Sequence, residues 1–383
     1  MKKINFWEFK EEFKFLKSKK IFNKLKKTLE SGEIFFGKTL KKFEKNFLNF
    51  NKTRYGLSVK SGTDALILSL MCAGIKKGDE VITVSLTAIP TISSIVTVGA
   101  VPMFVDVNDQ CLIDVNQIEK KISNKTKAII PVHLYGQPCE LNKILQIAKK
   151  YKLKIIEDCA QSFGAKYGNK FVGNYGDFGC FSFYPTKILG AYGDGGFITC
   201  KNKNDLKKLN QLRFYGLEIS NKKHLKYKKY YSNLHGINSR LDNMQASILD
   251  LKLQFIKKWI KKRQYYARLY NKKILNNKKI NKEHVYHLFV LRTLRRNKII
   301  KYLKTKNINV GIHYENPVHK MKPYKKYFHN KYDNLINSEK ISKEVFSLPL
   351  HPFIKENEIE KIITEIKLFN KKNKNEILST DKI

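Results

Sequence analysis

Lys187 stands in CFSFYPTKILGAYGDGGFITC (180–200), a few residues past the aromatic, apolar run Phe181 to Tyr184. Such a run reads as a buried strand, so the lysine leaves the edge of a sheet in a turn between Pro185 and Gly190. Gly193, Asp194, Gly195 and Gly196 allow a tight reversal into a second strand, Phe197 to Cys200. The result is an amine held on a rigid hairpin. Upstream, Asp158 closes the strand-like KIIEDCA (154–160), where a buried acid needs a partner; a turn or helix-cap aspartate would look the same. Earlier still, Ser61-Gly62-Thr63 ends a short strand and opens an apolar helix. Small residues at a helix start leave N–H groups and the positive dipole end free for a phosphate. Taken alone, SGTDAL describes an ordinary N-cap.

The competing chemistries lack their residues. No GxxxxGK(S/T) phosphate loop is present, and GDGG has neither the spacing nor the helix start of a dinucleotide fingerprint. His133, His235, His313 and His319 are scattered without metal-ligand spacing, so no metal is expected, and no GxSxG elbow occurs. A lysine on a hairpin, an acid at a strand end and a small-residue helix start together suit pyridoxal phosphate. The lysine forms its Schiff base, the acid partners its ring nitrogen, and N–H and hydroxyl groups hold its phosphate.

These groups need a scaffold, and the chain supplies its pattern. VITVS (81–85), PMFVDV (102–107), KAIIPVHLYG (127–136) and KIIEDCA are β-branched runs with helical stretches between them, one of them after Pro90. This rhythm predicts an α/β fold, a mostly parallel sheet sandwiched by helices, with ligands at the carboxyl ends of its strands. Residues 1 to about 55 space Phe13, Leu16 and Ile21 like amphipathic helices packed on a larger body. After Cys200 the pattern turns helical, passes a basic loop, HLKYKKYYSNLHGINSR, and runs into a long helical stretch from Leu241. The strand-like EHVYHLFVLR (283–292), the helix IIKYLKTKN, the strand-like INVGIHYENPVH (308–319) and the helix ENEIEKIITEIKLF predict a smaller α+β domain. The expected division is a large domain with N-terminal helices, 1–255, and a small C-terminal domain, 256–383, whose tail is frayed.

Composition narrows the classes further. The 383 residues are 42% hydrophobic and 12% aromatic, enough for a substantial core. No apolar run approaches the roughly 18 residues of a membrane span, and acidic residues interrupt the N-terminus where a signal peptide would be apolar. Six cysteines without metal-type pairing or a disulfide framework agree with a reducing compartment, so a cytoplasmic location is expected. The net charge of +42 raises nucleic acid or a membrane surface as partner. The lysines, however, are spread along the whole chain as solvated faces. A basic nucleic-acid-binding protein would explain none of the motifs above, and no zinc finger or helix-turn-helix signature is present.

SGTDAL, EDCAQSFGA, FSFYPTKILGAYGDGG and HGINSRLDNMQASIL occur in that order. Together they resemble the DegT/StrS-type nucleotide-sugar aminotransferases of PLP fold type I, over most of the chain. The resemblance implies Lys187 as the Schiff-base lysine, Asp158 as partner of the pyridinium nitrogen, and Gln161 beside the ring's oxygen. It implies Gly62, Thr63 and Ser182 as phosphate ligands, with Asn238 reaching the phosphate of the neighbouring subunit. A homodimer with shared sites follows, and Arg240, His313 and Tyr314 match positions that contact the sugar nucleotide. L-glutamate is the implied amino donor and a nucleotide-linked keto-sugar the acceptor, in surface-glycan biosynthesis. There is one departure: LTAIPT places Ala88 where many members carry an aromatic residue over the cofactor ring. YPTKILGAYGDGG is more similar to members acting on 3-keto sugars, carried on dTDP or UDP, than to the 4-keto group. Dehydratases of the family replace the lysine, often with histidine, so Lys187 opposes that reading. A catalytically silent regulatory relative is a second alternative.

Overall fold

The β-branched runs form one seven-stranded sheet, and the strand ends that matter for chemistry come out on the same side. The computed structural model describes residues 3–217, 231–277, 281–328, 334–374 and 376–380. Helices α1 (Phe9–Ser18), α2 (Ile21–Glu30) and α3 (Lys38–Asn51) precede strand β1 (Tyr55–Val59) and helix α4 (Gly62–Cys72). Alternation follows through β2 (Glu80–Val84), α5 (Ile89–Thr97), β3 (Val101–Val105), β4 (Thr126–Ile129), α6 (Leu141–Lys150) and β5 (Lys154–Asp158). A small ribbon, β6 (Lys166–Tyr167) with β7 (Lys170–Phe171), leads to β8 (Phe178–Ser182), β9 (Gly196–Cys200) and helix α7 (Lys203–Leu212).

The sheet order is β1-β9-β8-β5-β4-β2-β3. From β8 to β3 every pairing is parallel, whereas β9 runs antiparallel to both β8 and β1. Both faces are covered, as the parallel strands require. Successive residues of β5 show it: Ile155 packs with Ile82, Ile129 and Ile144, and Ile156 with Leu66, Leu70 and Ile198 on the other face. The run KAIIPVHLYG stops being strand at Ile129, because Pro131 has no N–H for the ladder. Phe183 stays buried beyond the end of β8, and Tyr184 is 55% exposed.

The helical stretch from Leu241 is two helices, α8 (Asn243–Leu253) and α9 (Ile256–Ile274). Helix α8 is buried nearly all round, and Leu16 and Ile21 of the N-terminal helices pack on its Ile248 and Leu251. A second sheet, β11-β10-β12, is antiparallel and joins β10 (Phe289–Arg292), β11 (Val345–Leu348) and β12 (Leu378–Ser379). Helices α10 (Arg296–Thr305), α11 (Ile336–Glu344) and α12 (Glu356–Asn373) accompany it. Its core joins Tyr270 of α9 to Ile299, Leu303, Ile362 and Ile366.

Two expectations fail here. INVGIHYENPVH is not a strand: it makes only isolated bridges, Ile308 to Ile4 and Gly311 to Ser347. Gly311 and Pro317 interrupt what its β-branched pattern suggests. The tail is not frayed as far as Thr380, since Leu378 pairs with Arg292 and the Thr380 hydroxyl donates to the Val290 carbonyl at 3.1 Å; 381–383 lie outside the described residues. Of the basic loop, HLKYKKY (224–230) lies outside the described residues. Among the described residues no helix is long and apolar enough to cross a membrane.

Candidate active site

Helix α4 begins where β1 ends, and Ser61 caps it by accepting the Asp64 N–H at 3.1 Å. The first-turn N–H groups of a helix have no partner within the helix itself. Gly62 lets that start approach β8 closely: a Cβ there would lie 2.6 Å from the Ser182 Cβ. The hydroxyls of Thr63 and Ser182 therefore flank the helix start. They open on a cavity of about 210 Å³ whose wall includes Gly62, Thr63, Asp158, Gln161, Ser182 and Lys187.

Asp158 is the last residue of β5 and only 5% exposed. Its Oδ2 accepts the Thr91 hydroxyl at 2.8 Å and its Oδ1 the Ala160 N–H at 3.1 Å. Burial pushes its carboxyl above the usual range, while these two bonds and the charge of Lys187 pull it back. Its neighbour Glu157 points to the opposite side of the strand and serves the fold. Glu157 accepts N–H groups from Gly173, Tyr175 and Gly176 at 2.7–2.8 Å and the Nε2–H of His133 at 3.0 Å. The Cys139 N–H donates to His133 Nδ1, so this imidazole is committed at both nitrogens. The grouping of His133, Glu157 and Cys159 is thus a hydrogen-bonded core element.

Lys187 sits in the loop 183–195 between β8 and β9. The loop is braced by its own backbone: Lys187 N–H to Tyr184 O, Ala191 N–H to Phe183 O, and Phe183 N–H to Gly195 O, at 2.7–2.8 Å. Ile188 and Leu189 are buried next to the lysine, and a Cβ at Gly190 would collide with Pro185 O. Burial lowers the Lys187 ammonium to about 8, against the opposing pull of Asp158. An amine so poised is a nucleophile and proton acceptor near neutral pH.

Gln161 ties two parts of the wall together. Its Oε1 accepts the Tyr135 N–H at 2.7 Å, and its Nε2 donates to the Tyr314 hydroxyl at 2.9 Å. Tyr135 in turn donates its hydroxyl to the His313 carbonyl. Burial pushes the Tyr314 phenol up to about 12, and burial together with Lys187 pushes His313 down to about 4. Both are neutral at pH 7.

The structure thus gathers Gly62, Thr63, Asp158, Gln161, Ser182 and Lys187 around one cavity, with Tyr314 hydrogen-bonded to its wall. It leaves Asn238, Arg240 and His313 off the lining. Asn238 bridges to Phe214, and the Arg240 guanidinium lies over the rings of Phe35 and Phe214 at 4.3 and 5.3 Å. Ala88 does line the cavity. The sequence reading passed over Thr87 and Thr91. Their hydroxyls lie 3.0 Å apart, Thr87 just before the N-cap of α5 and Thr91 in its first turn, and Thr91 already donates to Asp158. The spacing of 87 and 91 after a strand end was the available signal.

A helix start with two hydroxyls, a buried carboxylate and a pKa-lowered lysine in one cavity match the phosphate, ring nitrogen and aldehyde of pyridoxal phosphate. Comparison with known proteins agrees. The model of the DegT/DnrJ/EryC1/StrS aminotransferase family matches residues 16–367. The dTDP-3-amino-3,6-dideoxy-alpha-D-galactopyranose transaminase of Aneurinibacillus thermoaerophilus is 41% identical over 356 residues, 91% of this chain and 94% of its own. The pleiotropic regulatory protein of Geobacillus stearothermophilus is 36% identical over 369 residues, 94% and 96% of the two chains. The structure of NtdA from Bacillus subtilis with bound cofactor PMP superposes with a TM-score of 0.86 at 30% identity, covering 96% of this chain and 83% of that one.

Proposed function

The chain belongs to the DegT/DnrJ/EryC1/StrS aminotransferase family and is a pyridoxal-phosphate-dependent sugar aminotransferase, and from there we propose its substrates. It moves an amino group from L-glutamate to a nucleotide-linked 3-keto-sugar, a dTDP-3-keto-6-deoxyhexose, giving a 3-amino-3,6-dideoxyhexose for surface-glycan biosynthesis in the cytoplasm. Similarity to a dTDP-3-amino-sugar transaminase along nearly the whole chain supports this choice, and so does the turn GAYGDGG after Lys187.

The observation that carries the reading is that Lys187 and the buried carboxylate of Asp158 line one cavity, where burial lowers the lysine to about 8. Pyridoxal phosphate, when bound, supplies the electron sink for a carbanion on the carbon that carries the nitrogen. The protein does the rest. The α4 start, Thr63 and Ser182 hold the phosphate, and Asp158 keeps the ring nitrogen protonated, because an opposite charge at contact favours the charged form. Lys187 Nζ, neutral in part at pH 7, takes the proton from the substrate carbon and returns it on the other side of the transfer. Gln161 orients the wall beside Tyr314.

Residues 1–255 act as the cofactor-binding domain and 256–383 as a small domain that brings His313 and Tyr314 to the sugar nucleotide. Arg240 and Asn238 face a second subunit, whose site they complete in a homodimer. The test is a panel of 3-keto and 4-keto hexoses on dTDP, UDP and GDP, with glutamate as donor and product mass as readout. Turnover restricted to 4-keto substrates overturns the assignment to C3, and a protein that neither turns yellow with the cofactor nor transfers nitrogen from glutamate overturns the donor and the cofactor roles.

A further inference from the structure

Beneath the catalytic turn lies a buried ion pair that the reaction as described does not use. Lys252, on α8, is 1% exposed, and Glu12, on α1, is 2% exposed. Their side chains form an ion pair. The Lys252 ammonium also donates to the Gly190 carbonyl at 2.6 Å and lies 4.5 Å from the centre of the Tyr192 ring. Gly190 is three residues past Lys187. The N-terminal helix, 175 residues away in sequence, is thereby wired to the loop that carries the reactive amine.

Stability does not account for this arrangement. Taking two charges out of water costs several kcal/mol per ion, and apolar residues of similar volume commonly replace such pairs with no loss of stability. Apolar residues cannot do what Lys252 does here, which is to hold a backbone carbonyl of the turn from outside. The other constraints on the loop are its own backbone bonds, the Tyr192 N–H donated to the Gln245 side chain of α8 at 3.0 Å, and the packing of Ile188 and Leu189. Burial lowers the Lys252 ammonium, and the charge and hydrogen bond of Glu12 oppose that lowering, favouring the charged, donating form. Helix α1 is held in place for the purpose: Leu16 packs with Ile21 of α2 against Ile248 and Leu251 of α8.

We propose that Lys252, oriented by Glu12, is a positioning residue that clamps the 187–190 turn and so presents the Lys187 amine to the cavity. The inference rests on the catalytic role of Lys187 given above. An ångström of misplacement of a reacting group is enough to slow a reaction by orders of magnitude.

The test compares the full chain with Glu12→Leu/Lys252→Met, which replaces the pair by apolar residues of similar size. Three readouts are taken: thermal unfolding, borohydride trapping of pyridoxal phosphate on Lys187, and hydrogen exchange at residues 184–191 in the cofactor-free chain. The double variant should unfold at or above the wild-type temperature, yet trap the cofactor about 10- to 100-fold more slowly. Exchange at the Lys187 and Ala191 amides should quicken by a similar factor, kcat should fall more than KM rises, and Lys252→Arg should recover most of the trapping rate. A double variant that fails to fold overturns the proposal, as does one that folds and matches wild type in trapping and exchange. If the wild-type chain itself traps no cofactor, the reading of Lys187 fails, and the exchange measurement still decides whether the clamp exists.

Discussion

Thr91 donates its hydroxyl to Asp158 Oδ2 at 2.8 Å, and Thr87 lies 3.0 Å behind it, so the donor of that bond is itself oriented by a second hydroxyl. Burial raises the Asp158 carboxyl; the Thr91 bond is the largest influence lowering it again. Thr91→Val keeps the shape and removes the donor, leaving the acid raised further. The ionised form then predominates only at higher pH, and the acid limb of the kcat/KM profile moves upward. At neutral pH, losing a hydrogen bond to a charged group worth about 1.5–3 kcal/mol should cut turnover about 10- to 100-fold. Thr91→Ser should stay near wild type, and an unmoved acid limb in Thr91→Val would remove Thr91 from the site.

Lys187 makes its own pH prediction. Its ammonium is lowered to about 8 by burial, so the neutral, reactive amine grows in as pH rises through that value rather than through 10.5. The rate at which cofactor-free protein captures pyridoxal phosphate should therefore climb between about pH 7 and 9 and then level off. Lys187→Ala should abolish borohydride trapping altogether. Stopped-flow absorbance across that range checks the first statement, and a midpoint near 10 would contradict the burial assigned to this side chain.

The parts of this site that were legible in the sequence are those whose chemistry is local. The Lys187 turn, the strand end at Asp158 and the SGT helix start each announce themselves within ten residues, through glycines, β-branched runs and a cap. Glu12 and Lys252 do not, because a lysine on a helix normally signals solvent and its partner lies on an element far upstream. The only hint was that Lys252 belongs to a helix too apolar for a surface. Likewise INVGIHYENPVH carries a strand composition, but pairing depends on neighbours, and Gly311 and Pro317 leave it only two bridges. The short β12 was invisible because two residues have no periodicity to read.

Gly62 is where helix start and strand end meet. A Cβ at that position would lie 2.6 Å from the Ser182 Cβ, closer than side chains pack, so Gly62→Ala must push the α4 start away from β8. Overpacking of this kind typically costs about 1–3 kcal/mol. If the displaced groups are the phosphate donors, as proposed above, cofactor affinity should fall together with the unfolding temperature of the loaded protein. Equilibrium titration of cofactor into wild type and variant measures it. Unchanged affinity would mean that the phosphate binds elsewhere.

Asn238 tests whether the site is shared. In its own chain it bridges to Phe214 and lies off the lining of the cavity. Aromatic side chains are exposed next to it: Tyr215, whose N–H donates to the Ile237 carbonyl, is 49% exposed, and Phe35, under Arg240, is 40% exposed. Exposed aromatic side chains beside an arginine are typical of a buried interface core. If Asn238 serves the partner's phosphate, Asn238→Ala and Lys187→Ala damage the same site from different chains. Each homodimer should then be deficient, Asn238→Ala in cofactor retention and Lys187→Ala in all turnover. Mixing the two by unfolding and refolding together yields heterodimers in which one site carries both substitutions and the other neither. Random pairing then restores about a quarter of wild-type activity, half of the dimers having one intact site of two. If both residues served a single chain's site, no mixture could recover any, so activity that merely averages the two parents would place Asn238 in its own subunit.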